Sequence, residues 1–297
     1  MKTLLAKASV VVGLALAIAA QPAAAAYVTF FGEDLNNSEA TPLAATPSSN
    51  ASESLFLGSL VGVGTETFES QTTGAGAPLP LTFPGAGTAT LTGAVGNGSV
   101  FAVTPGTTNG FGRYSVPSAS SSKFWEVDAG PSGNFVVTFS GPVAAFGFYG
   151  IDIGDFGGQL TLVLSNGTNF VVPNTSGSNA STGGSVLFFG IIGQNPLDVF
   201  TSVQFNTTTG QGDIFAFDRM TIGSLEQVRL PEPGSLALLA VALAGFAALR
   251  RKNAAYAQLL AASRTTAASG PPFCFRRTTG IGASCVGVGN LSAIGSS

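Results

Sequence analysis

Two aspartates on either side of a glycine are the side chains in this sequence best suited to binding a metal ion. Asp152 and Asp155 lie in the turn-like segment 152–158, and carboxylate oxygens are the ligands that Ca²⁺ prefers. Asp213 or Asp218 would supply a further carboxylate. The segment lacks the twelve-residue spacing and terminal Glu of an EF-hand loop. The alternative is that both aspartates cap a tight turn between two strands.

Catalysis that depends on histidine is excluded, because the chain contains no His. Neither a Ser-His-Asp nor a Cys-His nucleophile system can form, and a His-ligated zinc is excluded too. Glu66 with Glu69, or Glu126 with Asp128, has the residue types of a glycosidase acid pair. Nothing in the sequence brings either pair across a cleft. We therefore expect a protein that is not an enzyme and has no cofactor; a Ca²⁺ ion at Asp152 and Asp155 is the alternative to two turn-capping aspartates.

The chain has a single tryptophan, Trp125, which lies among polar residues in the segment 123–126. An aromatic ring beside polar groups can stack on a sugar and so bind an extracellular polysaccharide, but a lone Trp is more often a core anchor. The central chain has few basic residues and no basic run. We therefore expect no nucleic acid among its partners.

Short strand-like segments must position these residues. They alternate apolar and polar side chains and are bounded by Gly, Asn, Pro and Ser, without a helical period of useful length. The predicted strands cover 54–63, 88–91, 100–103, 135–139, 143–149, 160–164, 169–172, 186–192, 199–205 and 214–222. Residues 35–54 are predicted to be a loop. This pattern predicts an all-β fold, a jelly-roll-like β-sandwich, over residues 27–226.

The charged residues are segregated along the chain. Residues 27–226 contain 14 acidic and three basic side chains, a net charge of about −11, whereas the whole chain has a net charge of -3. The other basic residues lie near the ends: Lys2, Lys7, Arg229, Arg250, Arg251, Lys252, Arg264, Arg276 and Arg277. Such segregation is typical of a chain that crosses a membrane.

The N-terminus has the three parts of a signal peptide in order. Lys2 and Lys7 form a positive region, residues 10–20 are apolar, and residues 23–26 are four alanines. The apolar stretch is too short to span a bilayer. We predict a signal peptide over residues 1–26, cleaved before Ala26 or Tyr27, and export of the mature chain. A buried N-terminal helix is the alternative.

A second apolar segment covers residues 235–249. At about 1.5 Å per residue it measures roughly 22 Å, short of the roughly 30 Å hydrocarbon core. The basic cluster at residues 250–252 extends it by snorkelling. We predict a C-terminal transmembrane helix here, with the basic cluster in the cytoplasm and the acidic domain outside. A buried soluble helix is the alternative.

The residues just before this helix carry a distinctive triplet, Pro231, Glu232 and Pro233. Together with the apolar helix and the Arg250-Arg251 end, residues 230–252 resemble the PEP-CTERM protein-sorting domain of Gram-negative bacteria. The resemblance implies processing by an exosortase, a membrane enzyme that cuts near the triplet and removes the helix. It also implies that the triplet is the recognition motif and that Arg250 and Arg251 are the retention signal. A proline-rich linker before an ordinary anchor is the alternative.

The sequence departs from that family after the basic cluster, where such domains usually end. Residues 253–297 form a tail with no strand or helix pattern of useful length, and the tail holds both cysteines, Cys274 and Cys285. A read-through gene end or a genuine disordered cytoplasmic extension would each produce such a tail. Because the cytoplasm is reducing, we predict no disulfide.

Segments 143–155 and 214–223 are also similar to exported domains that often precede PEP-CTERM signals, a resemblance that implies a location rather than a reaction. Three hypotheses follow. The first is a non-enzymatic cell-surface or extracellular-matrix protein sorted by an exosortase. The second is a carbohydrate-binding β-sandwich module with a structural calcium ion, in the same cellular location. The third is a secreted hydrolase that uses carboxylates. We favour the first.

Overall fold

The computed structural model describes residues 27–93, 98–130 and 134–229, and beyond these only the helical positions 243, 245–247, 250, 251 and 258. Contacts divide the chain into two units, Met1–Pro231 and Glu232–Ser297. The first unit contains the folded domain, and each unit is described by itself.

The domain is built from short strands and one helix. The strands are β1 (Tyr27–Asp34), β2 (Thr65–Glu66), β3 (Leu79–Phe83), β4 (Gly87–Leu91), β5 (Ser99–Ala102), β6 (Lys123–Ala129), β7 (Val136–Val143), β8 (Ala145–Ile151), β9 (Leu160–Leu164), β10 (Asn169–Val171), β11 (Val186–Gly193), β12 (Phe200–Thr207) and β13 (Asp213–Gly223). The helix α1 covers Pro47–Gly58, and a 3-10 turn at Leu225–Gln227 ends the domain.

These strands form two antiparallel sheets that pack face to face. The seven-stranded sheet has the order β1-β11-β8-β13-β6-β5, with β2 paired to β13, and the six-stranded sheet has the order β10-β9-β12-β7-β4-β3. From β4 onward the chain crosses repeatedly between the sheets. The prediction of an all-β sandwich is confirmed, whereas its finer jelly-roll description stays a prediction.

The main core lies between the sheets and is rich in phenylalanine. Alternation places Leu160, Leu162 and Leu164 of β9 in it, as the sequence period predicts. Phe135 stacks on Phe205 with ring centroids 4.5 Å apart. Aromatic contacts of this kind stabilise the core beyond the area that they bury.

A smaller core covers the outer face of the seven-stranded sheet, beneath α1. Phe56 of α1 is fully buried there. Gly147 and Gly190 make room for its ring, because a Cβ atom at either position would lie within 2.8 Å of it. The two glycines therefore let the helix approach the sheet closely.

The helix corrects the sequence-based prediction, which assigned residues 35–54 to a loop and 54–63 to a strand. The carboxylate of Asp34, at the end of β1, accepts hydrogen bonds from the Ser48 and Ser49 backbone N–H groups at 3.0 and 2.9 Å. A carboxylate at a helix N-terminus satisfies otherwise free N–H groups and complements the helix dipole. Because the capping carboxylate comes from another element, the residues of the helix do not show it, and Pro47 at the first position is the start signal that they carry.

Most other predicted strands are confirmed, with ends shifted by a few residues. The turn at Ser165, Asn166 and Gly167 joins β9 to β10, and Gly167 has the positive φ of 88° that such turns require. The strands β1, β2, β3 and β6 were not predicted from the sequence. The strand β3 contains Pro80, which usually argues against a strand but is tolerated here because β3 lies at the edge of its sheet.

The predicted signal peptide, residues 1–26, lies outside the described residues, as do most of the predicted transmembrane helix and of the tail, including Cys274 and Cys285. Among the residues that are described, no helix is both long and apolar enough to cross a membrane.

Candidate functional site

The end of the folded domain is fixed by hydrogen bonds to two neighbouring loops, just before the sorting segment. Gln227 donates its side-chain amide to the carbonyls of Gly62 and Pro84 at 2.8 and 3.0 Å. The Arg229 backbone N–H donates to Ser59 O at 2.9 Å, and its Nε donates to Leu60 O at 3.1 Å. Hydrogen bonding therefore holds the chain up to Arg229.

The predicted recognition residues follow directly. Pro231, Glu232 and Pro233 lie outside the described residues, and the first of them is two positions after Arg229. Arg250 and Arg251 are described, and both are helical and exposed. Arg250 and Arg251 therefore both lie on helical backbone, with exposed side chains.

Asp152, the first candidate metal ligand, connects two loops. It follows β8 and has a left-handed backbone, with φ of 70°. Its Oδ1 accepts a hydrogen bond from the Gly184 backbone N–H at 2.8 Å, and its Oδ2 lies 3.5 Å from Nη1 of Arg113. Burial is the main cause that raises the pKa of Asp152 to about 7, and the negative charge of Asp155 adds to it.

Asp155 and Asp213 complete what we call the acidic cluster, Asp152, Asp155 and Asp213. Burial raises the pKa of Asp155, and the nearby Glu39 raises it further. Burial also raises the pKa of Asp213 well above its usual range, with a smaller contribution from Asp155. Asp213 Oδ2 accepts the Gly154 backbone N–H at 3.4 Å. The structure thus joins Asp213, and not Asp218, to the predicted pair.

Carboxylates of the acidic cluster already have partners within the protein, namely Arg113 and backbone N–H groups. In the described part of the chain, no three or more His, Cys, Asp or Glu side chains are arranged to hold a metal ion. The guanidinium of Arg113 already lies against Asp152 and also binds Glu126 Oε2 at 2.9 Å. A calcium ion at Asp152 and Asp155 stays a prediction.

A second polar network, around Asp218, was not found from the sequence. Asp218 is fully buried on β13, and its Oδ2 accepts hydrogen bonds from Ser115 Oγ at 2.8 Å and Val116 N at 2.9 Å. Burial raises the pKa of Asp218 to about 7. The chain distances of 103 and 102 residues explain why the local pattern carried no signal for this contact.

The neighbouring Arg219 attaches α1 to the sheet. It sits at a register shift of β13 with φ of 47°, the geometry of a β-bulge. Its Nη2 lies 2.9 Å from Glu53 Oε1, and Tyr149 donates its hydroxyl to Glu53 Oε2 at 3.1 Å. Arg219 is therefore part of a structural ion pair.

The other residues singled out by type also have structural partners. Trp125 is fully buried in the core between the sheets, which confirms the core-anchor interpretation. Glu66 accepts the Phe68 backbone N–H at 2.6 Å. Glu69 accepts the backbone N–H groups of Ser122 and Lys123 at 2.7 and 2.8 Å.

Fold and chain end together define an all-β domain followed at once by a C-terminal signal segment. Residues 230–252 match the family described as the PEP-CTERM protein-sorting motif. The chain therefore contains a PEP-CTERM sorting motif, and the motif implies export, association with a membrane before processing, and processing by an exosortase there.

No curated protein matches the chain. Among solved structures, the chain is similar to the K2 cleaved adhesin domain of Lys-gingipain (Kgp), with 14% sequence identity and a TM-score of 0.33. The match covers 54% of this chain and 97% of that domain.

Proposed function

We propose that this protein is a non-enzymatic component of the cell surface or extracellular matrix, delivered there as an exosortase substrate. The observation that carries the proposal is the PEP-CTERM motif at residues 230–252, joined to a folded domain that ends at Arg229. A folded domain outside the membrane and a removable anchor are what a sorted surface protein needs.

The contacts of the carboxylates support the non-enzymatic part of the proposal. Glu66 and Glu69 bind the backbone of nearby segments, and Glu126 pairs with Arg113. A glycosidase needs two carboxyl groups that flank a substrate cleft. Because these three side chains already serve the fold, we assign them structural roles.

The alternative proposal is a carbohydrate-binding module with a structural calcium ion. Trp125 offers no stacking surface for it, since its ring is fully buried. The proposed calcium ion would bind Asp152 and Asp155. Comparing the melting temperature of the full chain with and without EDTA tests whether such an ion stabilises the protein. An unchanged melting temperature would exclude a structural ion there.

Processing of the chain tests the main proposal directly. In a host that carries an exosortase, the double substitution Pro231→Ala with Glu232→Ala should leave the precursor uncleaved, because two of the three recognition residues are lost. Mass spectrometry of the mature protein would give the cleavage site in the parent chain and the intact mass in the variant.

Glu226→Ala is the matched control. Glu226 is an exposed acid in the 3-10 turn, a few residues before the triplet. This variant should be processed as the parent chain is. Normal processing of the double variant would refute the sorting proposal, whatever the domain binds.

A further inference from the structure

The six-stranded sheet carries no charged residue, although the domain is strongly acidic. None of its strands, β3, β4, β7, β9, β10 and β12, contains Asp, Glu, Lys or Arg. The 14 acidic and three basic residues of the domain all lie in the other sheet, in α1 or in loops. We call the outward side of this sheet the neutral face.

The strand register arranges polar side chains of the neutral face in rows. Thr90 of β4 lies opposite Thr138 of β7, and Thr138 lies opposite Ser202 of β12. Neighbouring strands are about 4.8 Å apart, so these three hydroxyl groups form one row across the sheet. Gln204 lies opposite both Val136 and Val163 in the next row.

The hydroxyl and amide groups of these rows are free to bind a ligand. In the described part of the chain, the side chains of Thr90, Thr138, Ser202 and Gln204 make no hydrogen bond to the protein, and Thr138 and Gln204 are exposed. A hydroxyl group can both donate and accept a hydrogen bond, and a side-chain amide donates through its NH₂ group and accepts through its oxygen. The neutral face therefore presents paired donors and acceptors with no net charge.

Other kinds of partner fit this face less well. Interface affinity is usually concentrated in a few buried aromatic or arginine anchors. The aromatic side chains of these strands are not available for this role, because they are buried in the core or, for Phe170, partly buried against it: Phe83, Phe139, Phe170, Phe200 and Phe205. A polyanion would be repelled by the net charge of about −11 of residues 27–226. A polycation would bind the acidic surfaces instead.

We propose that the neutral face binds an uncharged polysaccharide, whose hydroxyl groups exchange hydrogen bonds with the rows of Thr, Ser and Gln. This proposal goes beyond sorting and depends on neither Trp125 nor calcium. It assigns the binding surface to the open face of a sheet rather than to a pocket, which suits an extended polymer.

Affinity electrophoresis of the full chain in mild detergent tests the proposal. The gels contain a neutral polymer, either hydroxyethyl cellulose, glucomannan or dextran, or the polyanion alginate. We expect retardation by at least one neutral polymer and none by alginate. Absence of retardation in all three neutral gels, or retardation by alginate as well, would overturn the proposal.

Variants at the centre of the face give the sharper result. Thr90→Lys with Thr138→Lys should weaken binding about tenfold or more, because two ammonium groups would lose solvent without gaining a partner. Thr138→Val keeps the shape and removes one hydroxyl, so binding should weaken roughly two- to tenfold. Circular dichroism would show that each variant is folded.

The matched control adds the same charge elsewhere. Ala51 and Ser54 are exposed on α1, which covers the other sheet, so Ala51→Lys with Ser54→Lys should bind as the parent does. Equal binding by the face variants and the parent would overturn the proposal. A dimer that the face variants dissociate would also overturn it, in favour of a second copy as the occupant.

Discussion

At the scale of single residues, the buried aspartates hold loops together. Asp152, Asp213 and Asp218 each accept a backbone N–H group, which lowers the cost of burying a carboxylate. The sequence could predict that Asp152 and Asp155 lie close together, because they are three positions apart. It could not predict Arg113, which is 39 residues from Asp152 and reaches it only through the fold.

The raised pKa values predict that the domain loses stability as pH rises from about 4 to about 7. Asp152 and Asp218 have pKa values of about 7 in the folded chain, against about 3.9 in an unfolded one. Between these values the folded state binds more protons, so the free energy of unfolding falls with rising pH. We expect the melting temperature to be roughly 5 °C lower at pH 8 than at pH 5.

Asp218→Asn separates this effect from general charge repulsion. The variant cannot titrate at this position, so its melting temperature should depend less on pH between 5 and 8. Asp34→Asn serves as the control, because its hydrogen bonds to Ser48 and Ser49 keep the pKa of Asp34 below its usual value, outside that window. A parent chain whose melting temperature rises from pH 5 to pH 8 would contradict the prediction.

At the scale of elements, the sequence pattern predicted what depends on local periodicity. The alternation in β9 and the apolar runs of β8 and β11 indicated the strands and the sandwich class. The helix α1 was not predicted, because contacts with other elements contribute to its stability. Its cap is Asp34 on β1, and the space for Phe56 is provided by glycines on two other strands.

Asp34 should therefore contribute measurably to the stability of the domain. Asp34→Ala removes the acceptor for the N–H groups of Ser48 and Ser49, and also for the Ser49 hydroxyl at 2.8 Å. Loss of a helix cap costs about 1–2 kcal/mol. Urea unfolding of the variant at pH 7 should show this decrease.

Asp34→Asn is the informative comparison, since an amide keeps one acceptor oxygen and loses the charge. Its free energy of unfolding should lie between that of the parent and that of Asp34→Ala. If Asp34→Ala unfolds at the same urea concentration as the parent, the cap does not stabilise α1 in the way the geometry indicates.

At the scale of the whole molecule, charge divides the chain into regions with different surroundings. One sheet is free of charge, the other sheet and the loops are acidic, and the basic residues 250–252 follow the apolar segment. Positive residues beside a membrane segment stay in the cytoplasm. The two cysteines, Cys274 and Cys285, both come after that basic cluster, so they report which side the tail occupies.

We predict that a membrane-impermeant maleimide will not label the unprocessed chain in intact spheroplasts of a host without exosortase. Labelling should appear once the membrane is permeabilised, because Cys274 and Cys285 then become accessible. Thr138→Cys, in a chain with both native cysteines changed to Ser, is the matched control. Thr138 is exposed on the domain, so this variant should be labelled from outside.

Charge reversal tests whether the basic cluster sets this orientation. Arg250→Glu with Arg251→Glu leaves Lys252 as the one basic residue of the cluster, so the C-terminal tail should reach the outside in part of the molecules. Because acidic residues contribute little to orientation, loss of the two arginines is what matters. Labelling of the native cysteines in intact spheroplasts should therefore rise in this variant. Equal labelling of parent and variant from outside would contradict the prediction that Arg250 and Arg251 set the orientation. Labelling of the parent itself in intact spheroplasts would instead show that the tail lies outside, on the same side of the membrane as the acidic domain.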